Sequence, residues 1–367
     1  MKATTGALLV YGAGANQVPV IEAGRRRGWR IVAIDRDPKA PGGGLADRFV
    51  CASLRDHETI LRAVASEDLR GVVARVTDAE AIESSRRLSA LRGLASPCES
   101  LVAAATRKRA LGALCERVGL RTPRRIDPAR PIDFTAGAVC VRPDVTVRGK
   151  AAIRRVARSN DLAAALSEAV AASANAQADV STWIDGADVS VLAVLDLGRA
   201  RRIALFDEWV AVAPDGRIAG IGAGMPSIFE SKCDAVDATL AALARGCPES
   251  RCVATLSLRI DDAERVFVIE IHLGVGGDAL ADRLLPAALP GFDAFDFLVS
   301  ASAGESPPLP TRAIQPCGLV RSGDAGWRLL VAPDVETLRQ EVRHEVPPDW
   351  LLPAALRPPP PAGLRSS

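Results

Sequence analysis

Residues 253–278, VATLSLRIDDAERVFVIEIHLGVGGD, carry the strongest fold signal in the sequence. The first half alternates apolar with polar residues, and the second half is apolar and rich in β-branched side chains. Both patterns predict strands, and the acidic turn between them predicts a β-hairpin. If Ile260 pairs with Arg265, the regular register places Thr255 opposite Glu270.

The predicted hairpin has one polar face and ends in a glycine run. Because side chains alternate with period two, five polar residues share that face: Thr255, Ser257, Arg259, Glu270 and His272. The run GVGG at 274–277 follows, where the backbone can approach a ligand closely. A carboxylate beside an imidazole at this strand end predicts a site for a cation or a phosphate, with a solvated hairpin face as the alternative.

The composition is that of an ordinary globular protein. The 367 residues suffice for two or three domains, and 48% of them are hydrophobic and 25% charged. A net charge of +2 gives no indication of nucleic-acid or membrane binding. The eight cysteines lack metal-ligand spacing and indicate free thiols in a reducing compartment. We find neither a signal peptide nor an apolar run long enough to span a membrane, and we expect a cytoplasmic protein.

The first hundred residues alternate predicted strands and helices. This rhythm predicts a parallel sheet with helices on both faces and a ligand site at the carboxyl ends of its strands. The turn Gly12-Ala13-Gly14, with Asp35 about 20 residues on, is similar to a dinucleotide-binding fingerprint, but Gln17 replaces the third glycine. An NAD-dependent oxidoreductase is therefore the weaker alternative.

Several further motifs follow in a fixed order. They are GAG at 12–14, APG at 40–42, Lys108, GLRTP at 119–123, VCVRP at 139–143, RGK at 148–150, STWIDG at 181–186 and IEIHLGVGGD at 269–278. Over residues 6–305 this order resembles the ATP-grasp superfamily, particularly its carboxylate–amine ligases of the amino-acid-ligase type.

The resemblance implies an α/β fold and a division into domains. A pre-ATP-grasp parallel-sheet domain is expected at residues 1–100, followed by a two-lobed ATP-grasp unit at 101–305 with its lid lobe at 137–185. Residues 306–352 are expected to form a small α+β appendage. The Pro-rich residues 353–367 are expected to be a disordered tail.

The resemblance also implies a nucleotide site between the two lobes. The residues at the ATP-binding positions are Lys108, Arg142, Arg148, Gly149, Lys150, Thr182, Trp183, Ile184 and Asp188. The basic residues would neutralise phosphates, the hinge backbone at 182–184 would bind adenine, and Asp188 would accept hydrogen bonds from the ribose. Glu270 and His272 are the expected catalytic residues and the ligands of Mg²⁺, with Mn²⁺ as an alternative metal.

Five departures from the family pattern affect this assignment. They are Arg142 for Lys, Ser181 with Thr182 for the hinge acids, Ser257 for the first magnesium carboxylate, His272 for Asn and Gly274 for Arg. Three of the five fall in the predicted metal and transfer site, whereas most of the nucleotide clamp is retained.

The implied function is an ATP-dependent ligase that forms an amide or peptide bond on a small acid or amino acid through an acyl phosphate. Its partners would be small-molecule acids and amines, without nucleic acid or membrane, and a homodimer is left open. The alternative is a catalytically degenerate relative that binds nucleotide or a partner without turnover. The fate of ATP separates the two hypotheses.

Overall fold

In a computed structural model, the described part of the chain is organised by three β-sheets. The structure describes residues 6–145, 152–277, 279–310, 313–322 and 326–357. Of the predicted site residues, Arg148, Gly149 and Lys150 lie outside these ranges. Among the helices in the described ranges, none is both long and apolar enough to cross a bilayer.

The first sheet is parallel and has the spatial order β3-β2-β1-β4. Its strands are β1 (Ala7–Tyr11), β2 (Arg30–Asp35), β3 (Arg48–Cys51) and β4 (Leu69–Ala74), with helices α1 (Val18–Arg26), α2 (His57–Ala63) and α3 (Ala79–Leu91). Every residue of β1 is buried, and alternate residues enter two different cores: Leu8 lies in one and Leu9 in the other. Burial on both faces explains the continuous apolar run, and the predicted parallel sheet is confirmed.

Two short helices connect the first sheet to the rest of the chain. They are α4 (Glu99–Thr106) and α5 (Lys108–Arg117). Arg107 between them has an extended backbone, with φ −138° and ψ 127°, so α4 ends there and α5 begins anew. This break places Lys108 in the first turn of a helix, where its side chain can reach a neighbouring element.

A small antiparallel sheet forms the next layer, in the order β6-β5-β7. It consists of β5 (Val139–Pro143), β6 (Arg154–Val156) and β7 (Ala178–Thr182), with α6 (Ser159–Ala172) between β6 and β7. Val139, Val141 and Val180 of the strands share one core with Ala165 and Ala169 of α6. This unit occupies the range predicted for the lid lobe.

The largest sheet is antiparallel and has the order β12-β11-β8-β9-β10-β13-β14. Its strands are β8 (Ala187–Asp196), β9 (Arg199–Val212), β10 (Ile218–Met225), β11 (Arg251–Ile260), β12 (Val266–Leu273), β13 (Cys317–Arg321) and β14 (Trp327–Val331). Its helices are α7 (Asp234–Gly246), α8 (Leu285–Ala288), α9 (Ala294–Ser302) and α10 (Val335–Arg343).

The C-terminal residues contribute to this sheet and its core. β13 and β14 belong to the predicted appendage, yet they extend the large sheet beyond β10. The expected tail from residue 353 is wrong for its first residues, because Ala354–Leu356 form a 3₁₀ helix. The Leu356 side chain has no exposed surface, and its burial holds this segment against the sheet.

The hairpin that the sequence predicted is β11 and β12, but its register differs from the expected one. Glu270 pairs with Ser257, and His272 pairs with Thr255, whereas the sequence predicted Glu270 opposite Thr255. Two changes cause this difference: Ile260 pairs with Val266 instead of Arg265, and a β-bulge between Ser257 and Leu258 shifts the pairing by one further residue. Together they align Glu270 with Ser257 across the two strands.

Candidate functional site

Lys108 and Glu270 form an ion pair where α5 meets the hairpin. The Lys108 side chain is 8% exposed and that of Glu270 27%. Burial, together with the positive charge of Arg142, lowers the pKa of Lys108 to about 7, although the negative charges of Asp179 and Asp144 act to raise it. Two residues that the sequence assigned to different ligands, a phosphate and a metal, are thus in direct contact.

Arg142 is held in place by a buried carboxylate. Its Nε donates to Oδ2 of Asp179 over 3.1 Å, and its Nη1 donates to the main-chain oxygen of Ile269 over 3.3 Å. Asp179 also accepts a hydrogen bond from Nε of Arg125 over 2.7 Å. Burial alone would raise the pKa of Asp179, but the guanidinium groups of Arg142 and Arg125 lower it below its ordinary value. Arg142 is therefore fixed next to β12, the strand that carries Glu270, the ion-pair partner of Lys108.

A second carboxylate, missed by the sequence reasoning, lies on the same part of the large sheet. Oγ of Ser257 donates to Oε1 of Glu208 over 3.1 Å. Oγ of Ser190 lies 3.2 Å from Oγ of Ser257 and donates to the same carboxylate oxygen. Because Ser257 also pairs with Glu270, the side-chain oxygens of these residues form a row across β12, β11, β8 and β9. We call these oxygens, which could coordinate a cation, the oxygen donors. They belong to Glu270, Ser257, Ser190 and Glu208.

His272 lies beside Glu270, as the period-two pattern predicted. Its Nε2 is 3.5 Å from Oε2 of Glu270, and about half of its side chain is exposed. Within the described ranges, no three His, Cys, Asp or Glu side chains are grouped as a metal centre. A cation here would need ligands besides Glu270 and His272, and hard oxygens are the ligands that Mg²⁺ prefers.

A single arginine engages both the predicted hinge and the predicted ribose acceptor. Arg259 donates to the two carboxylate oxygens of Asp188 over 2.7 to 3.0 Å. It also donates to the main-chain oxygen of Ile184 over 3.0 Å, and its guanidinium carbon lies 4.3 Å from the ring centroid of Trp183. The sequence placed Arg259 on the polar face of the hairpin but did not predict this ion pair.

The hinge backbone is anchored to its neighbours and borders a solvent-open hollow. The amides of Thr182 and Trp183 donate to the main-chain oxygens of Arg124 and Ala138 over 2.9 and 3.0 Å. The hollow, of about 370 Å³, lies between the hinge and the hairpin turn. Its lining includes Trp183, Phe267, Asp185, Asp261 and Asp262. Aromatic rings with polar groups around them suit a flat, partly polar ligand.

Side chains of Asp35, at the end of β2, and of Gln17 contact the glycine turn after β1. A carboxylate oxygen of Asp35 accepts a hydrogen bond from the amide of Ala13 over 2.8 Å. The buried side chain of Gln17 donates to the main-chain oxygen of Arg75, and a Cβ on Gly12 would lie 3.0 Å from it. Gln17 thus occupies space through which a dinucleotide phosphate would approach the backbone, which disfavours the oxidoreductase alternative.

Solved structures with this architecture share little sequence with the chain. An N5-carboxyaminoimidazole synthetase from Staphylococcus aureus, complexed with ADP, is 11% identical with a TM-score of 0.71, over 93% of this chain and 96% of that chain. An L-amino acid ligase from Bacillus licheniformis is 13% identical with a TM-score of 0.67, over 86% and 79%.

A third similar structure is the biotin carboxylase domain of the 2-oxoglutarate carboxylase from Hydrogenobacter thermophilus, in complex with MgADP, ADP and bicarbonate. It is 16% identical with a TM-score of 0.65, over 86% of this chain and 74% of that chain.

The chain has the ATP-grasp fold. No protein-family model and no curated protein sequence matches it. The fold that the order of motifs implied is confirmed, and the roles of the site residues stay predictions.

Proposed function

We propose that this ATP-grasp chain is an ATP-dependent ligase that joins a small carboxylic acid, such as an amino acid, to an amine. The acid carboxylate would attack the terminal phosphorus of ATP and release ADP, which gives an acyl phosphate, and the amine would then displace phosphate from its acyl carbon. The shared fold supports this reaction class, since similar structures include a synthetase bound to ADP and an amino acid ligase.

The observation that carries the proposal is the convergence of Lys108, Arg142 and Glu270. These residues come from α5, the small sheet and the hairpin. Lys108 nevertheless contacts Glu270, and Arg142 contacts the main chain of Ile269, the residue before Glu270. Two cations beside a carboxylate match the charges of a polyphosphate and its divalent cation. On nucleotide binding, Lys108 would exchange Glu270 for a phosphate and release the carboxylate for the cation.

The oxygen donors around Ser257 fit Mg²⁺. Mg²⁺ typically takes one or two carboxylates together with phosphate oxygens and waters, and it neutralises the phosphate charge when bound. We assign Glu270 and Glu208 as its two carboxylates, so that Glu208 replaces the carboxylate missing at Ser257. The exposed His272 would remain beside Glu270, within reach of a phosphate or of Mn²⁺.

The nucleoside would bind at the hinge, with its base near Trp183 and the hollow. Arg259 separates this region from the row of oxygen donors and already bonds to Asp188 through both carboxylate oxygens. A ribose at Asp188 would therefore have to share that carboxylate with Arg259, or displace Arg259 from it.

A second candidate function is nucleotide binding without turnover. Two contacts favour it, because Lys108 is paired with Glu270 and Asp188 is paired with Arg259. Each pair occupies groups that the ligase hypothesis assigns to the nucleotide. If neither pair opens fully when nucleotide binds, the cation site stays incomplete and chemistry does not follow.

The test is an ATP-consumption screen against a panel of amino acids and small acids, each with a panel of amines, in which ADP release and product mass are measured. The ligase hypothesis predicts ADP and a condensed product for at least one pair, with turnover abolished by Glu270→Gln. Lys232→Ala is the control, because Lys232 forms an exposed surface pair with Glu264. Nucleotide binding without ADP release for any pair would support the second candidate. NAD binding without ATP binding would contradict both.

A further inference from the structure

Two thiols, one before α4 and one after α7, meet at a shared hydroxyl. Cys98 immediately precedes α4, and Cys247 immediately follows α7. Oγ of Ser100 lies 3.3 Å from Sγ of Cys98 and 3.9 Å from Sγ of Cys247, so both sulfurs contact one hydroxyl. The two thiols are close enough for the charge of one to act on the other, and both cysteines are free. Residues 149 positions apart in sequence are thereby brought together.

The two thiols differ in a way that suits an attacking and a resolving cysteine. Cys98 is partly exposed, whereas Cys247 is 1% exposed. Hydrogen bonds, first from Cys247 and then from Ser100 and Ser250, lower the pKa of Cys98 to about 4, and the same thiol contact raises the pKa of Cys247. The Cys98 sulfur also lies at the N-terminal end of α4, where the helix dipole favours an anion.

Two guanidinium groups lie near the pair, and one of them, that of Arg86, is itself paired with Glu83. Nη2 of Arg117 donates to Oγ of Ser100 over 3.3 Å, and Arg86 lies close enough for its charge to interact with that of Cys98. A thiolate is the nucleophilic form of cysteine, and nearby cations favour it. Partial exposure, hydroxyl contacts and two guanidinium groups therefore distinguish Cys98 from Cys115, which is fully buried.

We propose that Cys98 and Cys247 form a peroxide-sensitive thiol pair that closes into a disulfide. The Cys98 thiolate attacks an oxygen of a hydroperoxide, the O–O bond breaks, and an alcohol or water leaves with one proton from solvent. The thiol of Cys247 then attacks the sulfenic acid at Cys98, the S–O bond breaks, and water leaves as the S–S bond forms. Two electrons pass from the sulfurs to the peroxide, and thiol–disulfide exchange with a small thiol reverses the change.

The disulfide would add a covalent link between two segments that are distant in sequence and already hydrogen-bonded, since the amide of Cys98 donates to Oγ of Ser250 over 3.0 Å. Cys98 lies in the connection between the parallel sheet and α4, and Cys247 ends α7, which packs on the large sheet. Oxidation would therefore fix the N-terminal unit to the sheet that carries the candidate site. This inference does not depend on the proposed ligase activity.

Peptide mapping of the full-length protein tests the proposal directly. The protein is treated with increasing hydrogen peroxide, free thiols are blocked with N-ethylmaleimide, and tryptic peptides are analysed by mass without reduction. Trypsin places Cys98 in residues 93–107, Cys247 in 246–251 and Cys252 in 252–259. We expect a linked peptide of 93–107 with 246–251, lighter than the sum of its parts by two hydrogens and lost on reduction.

Variants distinguish a specific pair from general oxidation. Cys247→Ser should leave Cys98 as a sulfenic acid that dimedone captures, whereas Cys252→Ser should retain the linked peptide. The proposal is overturned if Cys98 links to Cys252, or if no link forms at a peroxide concentration that oxidises the exposed Cys51. If a variant does not fold, the mapping of the wild-type chain alone still decides.

Discussion

The buried triad of Arg125, Asp179 and Arg142 gives a quantitative prediction for Asp179→Asn. The Asp179 side chain is 1% exposed and that of Arg142 is 10% exposed, so the variant leaves a buried guanidinium without its counter-charge. Breaking a buried pair from one side typically costs 3–5 kcal/mol. Because the Asn oxygen can still accept one hydrogen bond, we expect the lower end, about 3 kcal/mol.

The effect of Asp179→Asn should depend on pH with a defined sign. Because the pKa of Asp179 is lowered in the folded state, its carboxylate stabilises the fold fully above the ordinary Asp pKa of about 3.9. That stabilisation is lost as the pH falls through the lower folded-state pKa. The difference in stability between the wild type and the variant should therefore be largest near neutral pH and shrink below about pH 4.

The assay is thermal unfolding of the wild type and the variant across this pH range. A loss of about 3 kcal/mol corresponds to a fall in Tm of roughly 4 °C for a chain of this size, because the entropy of unfolding grows with chain length. Glu264→Gln is the matched control, because Glu264 is 60% exposed in its pair with Lys232 and such pairs contribute about 0–1 kcal/mol. If Asp179→Asn lowers Tm no more than Glu264→Gln does, the triad does not stabilise the fold as argued.

Three further substitutions have defined outcomes. Gly186→Ala should lower the free energy of unfolding by about 2 kcal/mol or more in a denaturant titration, because its Cβ would lie 2.2 Å from the main-chain oxygen of Ile260; unchanged stability would contradict that close approach. Glu208→Gln should weaken Mn²⁺ binding in the presence of ADP at least tenfold, or about 1.4 kcal/mol, as measured by electron paramagnetic resonance. Equal Mn²⁺ affinity of the wild type and the variant would contradict the assignment of Glu208 as a cation ligand. Arg259→Met should tighten ADP binding in a calorimetric titration, since it releases acceptor sites on Asp188; weaker binding would mean that Arg259 supports the nucleotide instead.

Much of the fold could be predicted because its signals are local. A strand such as β1, buried on both faces, has to be apolar throughout, and Gly12 and Gly28 bracket α1 in the manner of a βαβ unit. The hairpin could be predicted for the same reason, since period-two alternation follows directly from strand geometry. The predicted contact between Glu270 and His272 needed only that alternation.

The rest of the site depends on contacts between residues that are distant in sequence. The bulge beside Ser257 cannot be predicted from alternation, because β11 alternates without a break and residues 266–269 of β12 are all apolar. Glu208 reaches Ser257 from 49 positions away through a sheet order that strand patterns do not specify. One local signal was available: Asp207 and Glu208 interrupt the otherwise apolar run at 203–213, and a charged residue inside such a strand needs a partner or a function.

Titration of the protein with MgADP tests the central claim most directly, namely that a nucleotide binds where Lys108, Arg142 and Glu270 converge. Calorimetry should detect binding to the wild-type chain, unchanged binding to Lys232→Ala, and binding weakened at least tenfold, or about 1.4 kcal/mol, by Lys108→Ala. The Lys232→Ala control removes a lysine of the same charge from an exposed pair. Equal MgADP affinity for all three proteins would contradict the assignment of this site.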